Sequence, residues 1–210
     1  HKITDLRNKL EAHRTAKESI GFVPTMGNLH EGHSHLIQNA VKENDRTVVS
    51  IFINPLQFSP SEDFESYPRT LEEDKERLRS SDCDYLFIPP RHEMLQGTPE
   101  EQSKIRVPRI AEILCGKSRP GHFEGVASIV SQLLNIVNPT RAYFGLKDYQ
   151  QFILIKKLVS DLKIPVTVIG VETVRDKNGL ALSSRNNFFS AKELDIAPQL
   201  FTSIKEVYTA

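Results

Sequence analysis

The chain has 210 residues, enough for one large domain or for one domain and part of a second. Its 27 basic side chains balance 27 acidic ones, and this neutrality gives no support for binding to nucleic acid or to an anionic membrane. No apolar run approaches the roughly 20 residues that a membrane span needs, and the first residues do not read as a signal peptide.

Short apolar runs alternate with amphipathic stretches along the first 172 residues. Runs rich in β-branched residues predict buried strands, and apolar residues at helical spacing predict helices. In chain order we expect a helix through Leu6 and Leu10, a strand at 19–24, a helix at 32–44, a strand at 47–53, a helix at 71–80, a strand at 84–88, a loop-rich stretch to 121, a helix at 123–137, a strand at 141–144, a helix at 148–162 and a strand at 166–171.

This alternation predicts a doubly wound α/β domain with a parallel sheet over residues 1–172. The character changes in residues 173–210. Asn178 and Gly179 between two short apolar runs indicate a hairpin. Ser190 followed by Glu193 is typical of a capping box at the start of a last helical region.

The two cysteines, Cys83 and Cys115, stand in unrelated contexts. Neither belongs to a C-x-x-C pair, so a zinc ribbon or a redox motif is not indicated. We therefore expect a reduced, cytoplasmic protein.

The first candidate site is the segment 25–33, T-M-G-N-L-H-E-G-H, between the first strong strand and its helix. The N-terminus of a helix at the carboxyl end of a parallel strand offers free N–H groups to a phosphate. His30 and His33 are three residues apart and can face the same side. They could hydrogen-bond an α-phosphate, or hold a metal for which no third ligand is evident, or belong to a purely structural turn.

Two further segments carry cations in loops. Lys147 follows Gly145 and precedes Asp148, a plausible N-cap, and the alternatives are an anion-binding lysine and a solvated surface lysine. Residues 182–186, L-S-S-R-N, combine hydroxyls with a guanidinium, which suits a polyphosphate but also an ordinary polar loop.

Two glutamines have competing interpretations. Gln57 lies just past the second strong strand, at the sheet edge where ligands bind. Gln151 stands three residues after Asp148, so it could complete a capping box instead of binding a substrate.

Gly116, Lys117 and Ser118 look like the end of a P-loop, but this interpretation is rejected. The motif needs a glycine five positions before Gly116, and the chain has Ala111 there. The preceding residues 109–114 also read as helix rather than strand.

Six segments together resemble, in order, the pantothenate synthetase family of the H-x-G-H nucleotidyltransferases. They are 23–33 (VPTMGNLHEGH), 49–58 (VSIFINPLQF), 67–70 (YPRT), 119–126 (RPGHFEGV), 144–151 (FGLKDYQQ) and 179–186 (GLALSSRN). The resemblance implies a Rossmann-like N-terminal domain, a smaller C-terminal α+β domain that closes over ATP, and a homodimer. It implies ATP-dependent condensation of pantoate with β-alanine through a pantoyl adenylate, with Mg²⁺ accompanying ATP.

The resemblance also implies residue roles. His33 matches the residue assigned as the acid, with His30 and Lys147 as further catalytic residues. Gln57 and Gln151 match the pantoate-binding glutamines, and Gln57 also lies near the β-alanine position. The implied ATP contacts are Met26, Gly27, Asn28, Leu29, His30, Glu31, Gly32, His33, Gly145, Leu146, Lys147, Asp148, Val174, Leu182, Ser183, Ser184 and Arg185.

The sequence departs from the family pattern at two places. Leu146 replaces the glutamate usual between the glycine and the lysine. Residues 173–210 match only the beginning of the family's C-terminal domain, so an incomplete domain is expected. Two rivals therefore remain at this stage: another H-x-G-H nucleotidyltransferase, which would need a basic pocket where Gln57 and Gln151 stand, and a nucleotide-binding module without catalysis.

Overall fold

The computed structural model describes residues 2–98 and 101–209. Its centre is a five-stranded sheet in the order β3-β2-β1-β4-β5, with every neighbouring pair parallel. The expected doubly wound, Rossmann-like α/β fold is confirmed. The strands are β1 Ile20–Thr25, β2 Arg46–Ile51, β3 Tyr85–Phe87, β4 Arg141–Gly145 and β5 Thr167–Val171.

Helices cover both faces of this sheet, because successive residues of a buried strand point to opposite sides. Phe22 and Val48 pack against one group of helices, while their neighbours Val23 and Val49 pack against the other. The helices are α1 Ile3–Thr15, α2 Glu31–Glu43, α3 Leu71–Arg79, α4 Arg91–Met94, α5 Cys115–Ser118, α6 His122–Val137, α7 Tyr149–Leu162, α8 Ala191–Ile196 and α9 Pro198–Thr209. The first face carries α1, α6 and α7, and the second carries α2 and α3.

The expected helices and strands of the sheet domain lie within about two residues of their predicted bounds. The stretch between β3 and α6 contains the short helices α4 and α5, which the sequence did not predict. Residues 109–114, expected as helix, form only a three-residue 3₁₀ turn at Ile110–Glu112. Arg109 and Leu114 on either side have positive φ angles, which end a helix at once.

The residues after β5 include a turn and the helices α8 and α9. Arg175 and Ala181 make one isolated antiparallel bridge around a turn at Gly179, which has a φ of 98°. The expected capping box is confirmed, since the side chains of Ser190 and Glu193 each accept the other's backbone N–H. The division at residue 172 stays a prediction. No helix in the part of the chain described is long and apolar enough to cross a membrane.

Helix α6 lies directly on the loop that follows β2. A Cβ atom at Gly125 would stand 2.1 Å from the carbonyl oxygen of Leu56 and 2.7 Å from the backbone nitrogen of Gln57. Only glycine therefore permits this approach. The contact holds the 3₁₀ turn Pro55–Gln57, and with it the backbone of Gln57, at the carboxyl edge of the sheet.

We expect Gly125→Ala to lower the free energy of unfolding by about 1–3 kcal/mol, because the new methyl group meets backbone atoms that cannot rotate away. Asn135→Ala, at an exposed position of the same helix, is the matched control and should leave stability unchanged or slightly higher. Urea unfolding followed by circular dichroism measures both. Wild-type stability of Gly125→Ala would contradict the described packing.

Candidate active site

A cavity of about 260 Å³ opens at the carboxyl ends of β1 and β4. The chain leaves these two neighbouring strands toward opposite faces of the sheet, and this is where doubly wound folds bind ligands. The cavity brings together most of the residues singled out in the sequence: Met26, His30, Gly32, His33, Gln57, Gly145, Lys147, Asp148, Gln151, Val174, Leu182, Ser183, Ser184 and Arg185.

Asp74 of α3 stabilises the turn between β1 and α2. Gly27 and Asn28 both have positive φ angles, of 81° and 50°. The Asp74 carboxylate, which is 2% exposed, accepts the backbone N–H groups of Asn28 at 2.9 Å and Leu29 at 2.7 Å. These two N–H groups are therefore bonded within the protein, and the histidines and Met26 of this segment line the cavity instead.

His30 and His33 cap α2 reciprocally. Nδ1 of His30 accepts the Gly32 N–H at 3.1 Å, and Nδ1 of His33 accepts the His30 N–H at 3.2 Å. A nitrogen that accepts a hydrogen bond carries no proton, so each neutral ring has its proton on Nε2. The rings pack with their centroids 4.1 Å apart. The helix cap thus leaves two Nε2–H donors for a ligand.

Both imidazoles are neutral at physiological pH. Burial lowers the pKa of His33 to about 3, and the neighbouring His30, Lys147 and Arg77 act in the same direction. Burial, together with the charge of Lys147, also lowers the pKa of His30. His33 in this state donates a hydrogen bond but carries no extra proton to give up. The acid role expected from the resemblance stays a prediction.

Lys147 lies in the 3₁₀ turn Leu146–Asp148, between β4 and α7. Its Nζ is 3.1 Å from the Asp148 carboxylate, so the unfavourable cation beside a helix N-terminus is offset by its neighbour. Asp148 stands at the N-cap position of α7, but its side chain makes no capping hydrogen bond. Its carboxylate pairs with Lys147 instead.

The start of α7 excludes the capping interpretation of Gln151. The structure shows no capping box at α7. No hydrogen bond joins the Gln151 side chain to another residue in the ranges 2–98 and 101–209, and Gln151 lines the cavity. Its amide is thus available to a ligand.

Gln57 is oriented by its surroundings. Its Oε1 accepts from Nδ2 of Asn54 at 2.9 Å, and its Nε2 lies 3.2 Å from the Met26 sulfur. His122 donates from Nδ1 to the Gln57 backbone carbonyl at 2.8 Å, while its Nε2 accepts from Arg119 at 3.1 Å. The amide oxygen of Gln57 therefore already accepts one hydrogen bond and one N–H donates to the Met26 sulfur, so the second N–H is the donor left for a substrate.

Part of the cavity lining is apolar. Val126, Ile129, Val130 and Leu133 recur at helical spacing on one face of α6 and line it. Phe52, just after β2, continues this wall. The cavity thus joins a cationic, hydrogen-bonding end to an apolar side.

Five expected ATP contacts do not line this cavity. Gly27, Asn28 and Leu29 form the turn on Asp74, Glu31 is exposed and pairs with Arg77, and Leu146 packs against the core. Their contacts stay predictions.

Sequence reasoning gave no individual role to Asn54, Tyr67, Arg119 and His122, which line the cavity, or to Asp74, which supports it. The first four of these residues lie inside the segments that resemble the family, so the resemblance could have pointed to them. Asp74 lies outside them and reads as an ordinary helix acid. The rejected P-loop residues lie in the short helix α5 and not in a strand-to-helix loop.

Comparison with known proteins agrees along the whole chain. The sequence model of the Pantoate-beta-alanine ligase family matches residues 1–209. A pantothenate synthetase of Pseudomonas aeruginosa is 50% identical over 98% of this chain and 72% of its own length. One from Acinetobacter baylyi is 51% identical over 97% of this chain and 72% of its own length.

Solved structures agree as well. Pantothenate synthetase from Thermus thermophilus superposes with a TM-score of 0.90 at 45% identity, covering 96% of this chain and 71% of that chain. Pantoate-beta-alanine ligase from Francisella tularensis, in complex with Beta-gamma ATP and β-alanine, gives 0.89 at 42% identity, covering 96% of this chain and 76% of that chain.

The lowered pKa of His33 predicts acid-sensitive stability. The unfolded chain binds a proton at the ordinary histidine pKa near 6.5, whereas folded His33 stays neutral down to about pH 3. The free energy of unfolding should therefore fall as pH drops through this window, by roughly 2 kcal/mol from this residue at pH 5.

His33→Asn keeps an acceptor for the His30 N–H but cannot titrate, so its stability should change less between pH 7 and pH 5 than that of the wild type. Urea unfolding at both pH values measures the difference. His92→Asn, at an exposed position, should retain the full wild-type loss. An equal loss in the wild type and in His33→Asn would show that His33 titrates normally.

Proposed function

The chain belongs to the pantoate–β-alanine ligase family, and from that premise we propose which residues perform each part of its reaction. The enzyme condenses pantoate with β-alanine in an ATP-dependent reaction. The observation that carries the assignment is one cavity that is lined by two Nε2–H histidines, Lys147 and Arg185 and by the amides of Gln57 and Gln151.

In the first step a carboxylate oxygen of pantoate attacks the α-phosphorus of ATP. The bond between the α-phosphorus and the bridging oxygen breaks, and pyrophosphate leaves with its electron pair. His30 and His33 donate from Nε2 to α-phosphate oxygens as charge builds there. Lys147, Ser183 and Arg185 hold the phosphates with their side chains, whereas the Ser184 hydroxyl already donates to the Asn28 carbonyl.

His33 acts in this proposal as a fixed donor and not as a Brønsted acid. Its cap with the His30 N–H holds the ring in place, and its lowered pKa keeps it neutral before ATP binds. A neutral donor that is already oriented needs no reorganisation when the transition state forms.

Pantoate fits the remaining part of the cavity. It carries a hydroxy-acid end, a primary alcohol and two methyl groups on the carbon between them. The NH₂ group of Gln57 and the amide of Gln151 suit the polar ends, and Val126, Ile129 and Val130 suit the methyl groups.

In the second step the amine of β-alanine attacks the carbonyl carbon of pantoyl adenylate. The amide bond forms, the amine loses a proton, and AMP leaves. No residue becomes covalently bound, so positioning and electrostatics supply the acceleration. Gln57 lies where the pantoate end of the cavity meets the loop after β2, which suits a contact with β-alanine as well.

The donor set suits Mg²⁺ that arrives on the nucleotide. This ion keeps several waters and takes one or two protein carboxylates besides substrate phosphates. Asp148 and Glu172 are the carboxylates that line the described cavity, and Asp148 lies beside Lys147. Bound there, Mg²⁺ would offset negative charge on the phosphates.

We further propose a cytoplasmic homodimer. The family resemblance supports both statements. Cys83 and Cys115 are free thiols, as expected of a protein in a reducing compartment.

Two other functions fit less well. A nucleotidyltransferase acting on a phosphate ester would need unpaired cations around the acceptor. The glutamines and the apolar face of α6 line the cavity instead, and Arg119 beside Gln57 is paired with Glu62. A binding module without catalysis would have no need of two histidines fixed as donors beside Lys147 and Arg185.

The intermediate is tested by isotope transfer. With ATP and pantoate labelled with ¹⁸O in its carboxylate, and without β-alanine, the enzyme should release pyrophosphate and retain pantoyl adenylate. After β-alanine is added, mass spectrometry should find the label in AMP. Label in inorganic phosphate would instead demonstrate an acyl-phosphate route and refute the proposed first step.

The role of Gln151 is tested by Gln151→Glu. A carboxylate there is favourable at a helix N-terminus but repels the pantoate carboxylate. We expect unchanged or slightly higher thermal stability and a loss of about tenfold or more in pantoate-dependent activity, equivalent to about 1.4 kcal/mol. ATP binding should change little.

Gln151→Ala is the matched variant for stability. A capping glutamine would contribute about 0.5–2 kcal/mol to folding, whereas a substrate ligand should contribute little. Full activity of Gln151→Glu together with early melting of Gln151→Ala would withdraw Gln151 from the pantoate site.

A further inference from the structure

Arg185 is held by an acidic residue that lies outside the cavity. The Asp63 carboxylate accepts from Nε and from Nη2 of Arg185, both at 2.8 Å. This is the bidentate geometry that fixes the plane of a guanidinium. Arg185 lines the cavity and Asp63 does not. The carboxylate therefore approaches Arg185 from the side away from the ligand space.

An aromatic ring restricts the same guanidinium. The Arg185 Cζ lies 5.7 Å from the centroid of the Tyr67 ring. Tyr67 is only 6% exposed and packs edge-to-face against Phe58. With Nε and Nη2 bonded to Asp63, Nη1 is the Arg185 nitrogen that makes no hydrogen bond to any residue in the ranges 2–98 and 101–209.

The loop that carries Asp63 is itself braced. Arg69 donates from its guanidinium to the backbone carbonyls of Phe64, Glu65 and Tyr67, at 2.8–3.1 Å. On the other side of Asp63, Glu62 pairs with Arg119 at 2.5 Å. A loop without regular secondary structure thus presents the Asp63 carboxylate at a fixed place.

The Arg185 segment is anchored independently. Ser184 donates from its hydroxyl to the Asn28 carbonyl at 3.2 Å, which joins residues 183–186 to the turn before α2. The Ser183 hydroxyl accepts the Arg185 N–H at 3.3 Å. The backbone of Arg185 is thus fixed at one side of the cavity, and Asp63 fixes the end of its long side chain from another.

From this geometry we infer that Asp63 is a positioning residue of the ATP site, which orients Arg185 so that Nη1 points to the polyphosphate. The inference rests on the proposed role of Arg185 as a phosphate ligand. Arginine loses considerable rotamer entropy when it binds. A partner that fixes the side chain beforehand removes part of that loss from the binding step.

The test is a double-mutant cycle with Asp63→Asn and Arg185→Gln, measured by steady-state kinetics at saturating β-alanine. Asp63→Asn should lower kcat/KM for ATP by about tenfold, within the range of coupling between contacting residues. The KM for pantoate and the melting temperature should stay near wild-type values. In the Arg185→Gln background, Asp63→Asn should have no further effect, because the group through which it acts is gone.

Two further variants sharpen the cycle. Glu65→Gln, at an exposed position of the same loop, should match the wild type in every parameter. Asp63→Glu keeps the charge with a longer side chain and should lose less kcat/KM for ATP than Asp63→Asn. If Asp63→Asn does not fold, Asp63→Glu is compared with the wild type instead. A loss of kcat/KM for ATP in Asp63→Glu as large as that in Arg185→Gln would then contradict charge-based positioning.

The possible outcomes distinguish a wrong role for Asp63 from a wrong role for Arg185. Wild-type kinetics of Arg185→Gln would remove Arg185 from the ATP site and the inference with it. An impaired Arg185→Gln beside a fully active Asp63→Asn would refute the role of Asp63 alone. Equal losses from Asp63→Asn in both backgrounds would show that it acts elsewhere, and tighter ATP binding would show that it competes with phosphate.

Discussion

The hydrogen bonds that His30 and His33 accept from the backbone at the start of α2 are the contacts on which the rest of the site depends. Each Nδ1 accepts a backbone N–H, so each ring is fixed in orientation and carries its proton on Nε2. The two hydrogen bonds thereby cap a helix and leave two Nε2–H donors at the cavity. Asp74 extends this arrangement, because its buried carboxylate holds the preceding turn at Asn28 and Leu29.

Three cations that line the cavity are each paired with a carboxylate. Lys147 pairs with Asp148, Arg185 with Asp63 and Arg119 with Glu62. Each of these cations lines the cavity and has a carboxylate beside it. These partners fix the positions of the long side chains.

Helix α6 shapes two parts of the cavity. One face contributes Val126, Ile129 and Val130 to the cavity. At Gly125 the same helix approaches the turn that carries Gln57 so closely that no side chain fits. The packing of this one helix thus sets both the apolar wall and the backbone position of Gln57.

The sequence by itself determined the order of helices and strands, because β-branched runs and helical periodicity are local properties. It also placed His30, Lys147 and Arg185 at loops beside strand or helix ends. The ordered motif matches identified the family, since six segments seldom agree together by chance. Local patterns failed at residues 109–114, where backbone geometry at Leu114 limits the helix to a short turn.

Only the tertiary structure decided which nitrogen of each histidine is free, because that depends on the hydrogen bonds the rings make after folding. It alone showed that Gln151 does not cap α7 and that the turn's amides are bonded to Asp74. The pairing of Asp63 with Arg185 joins residues 122 positions apart. No local pattern encodes such a contact, since it exists only once the chain has brought both loops to the same edge of the sheet.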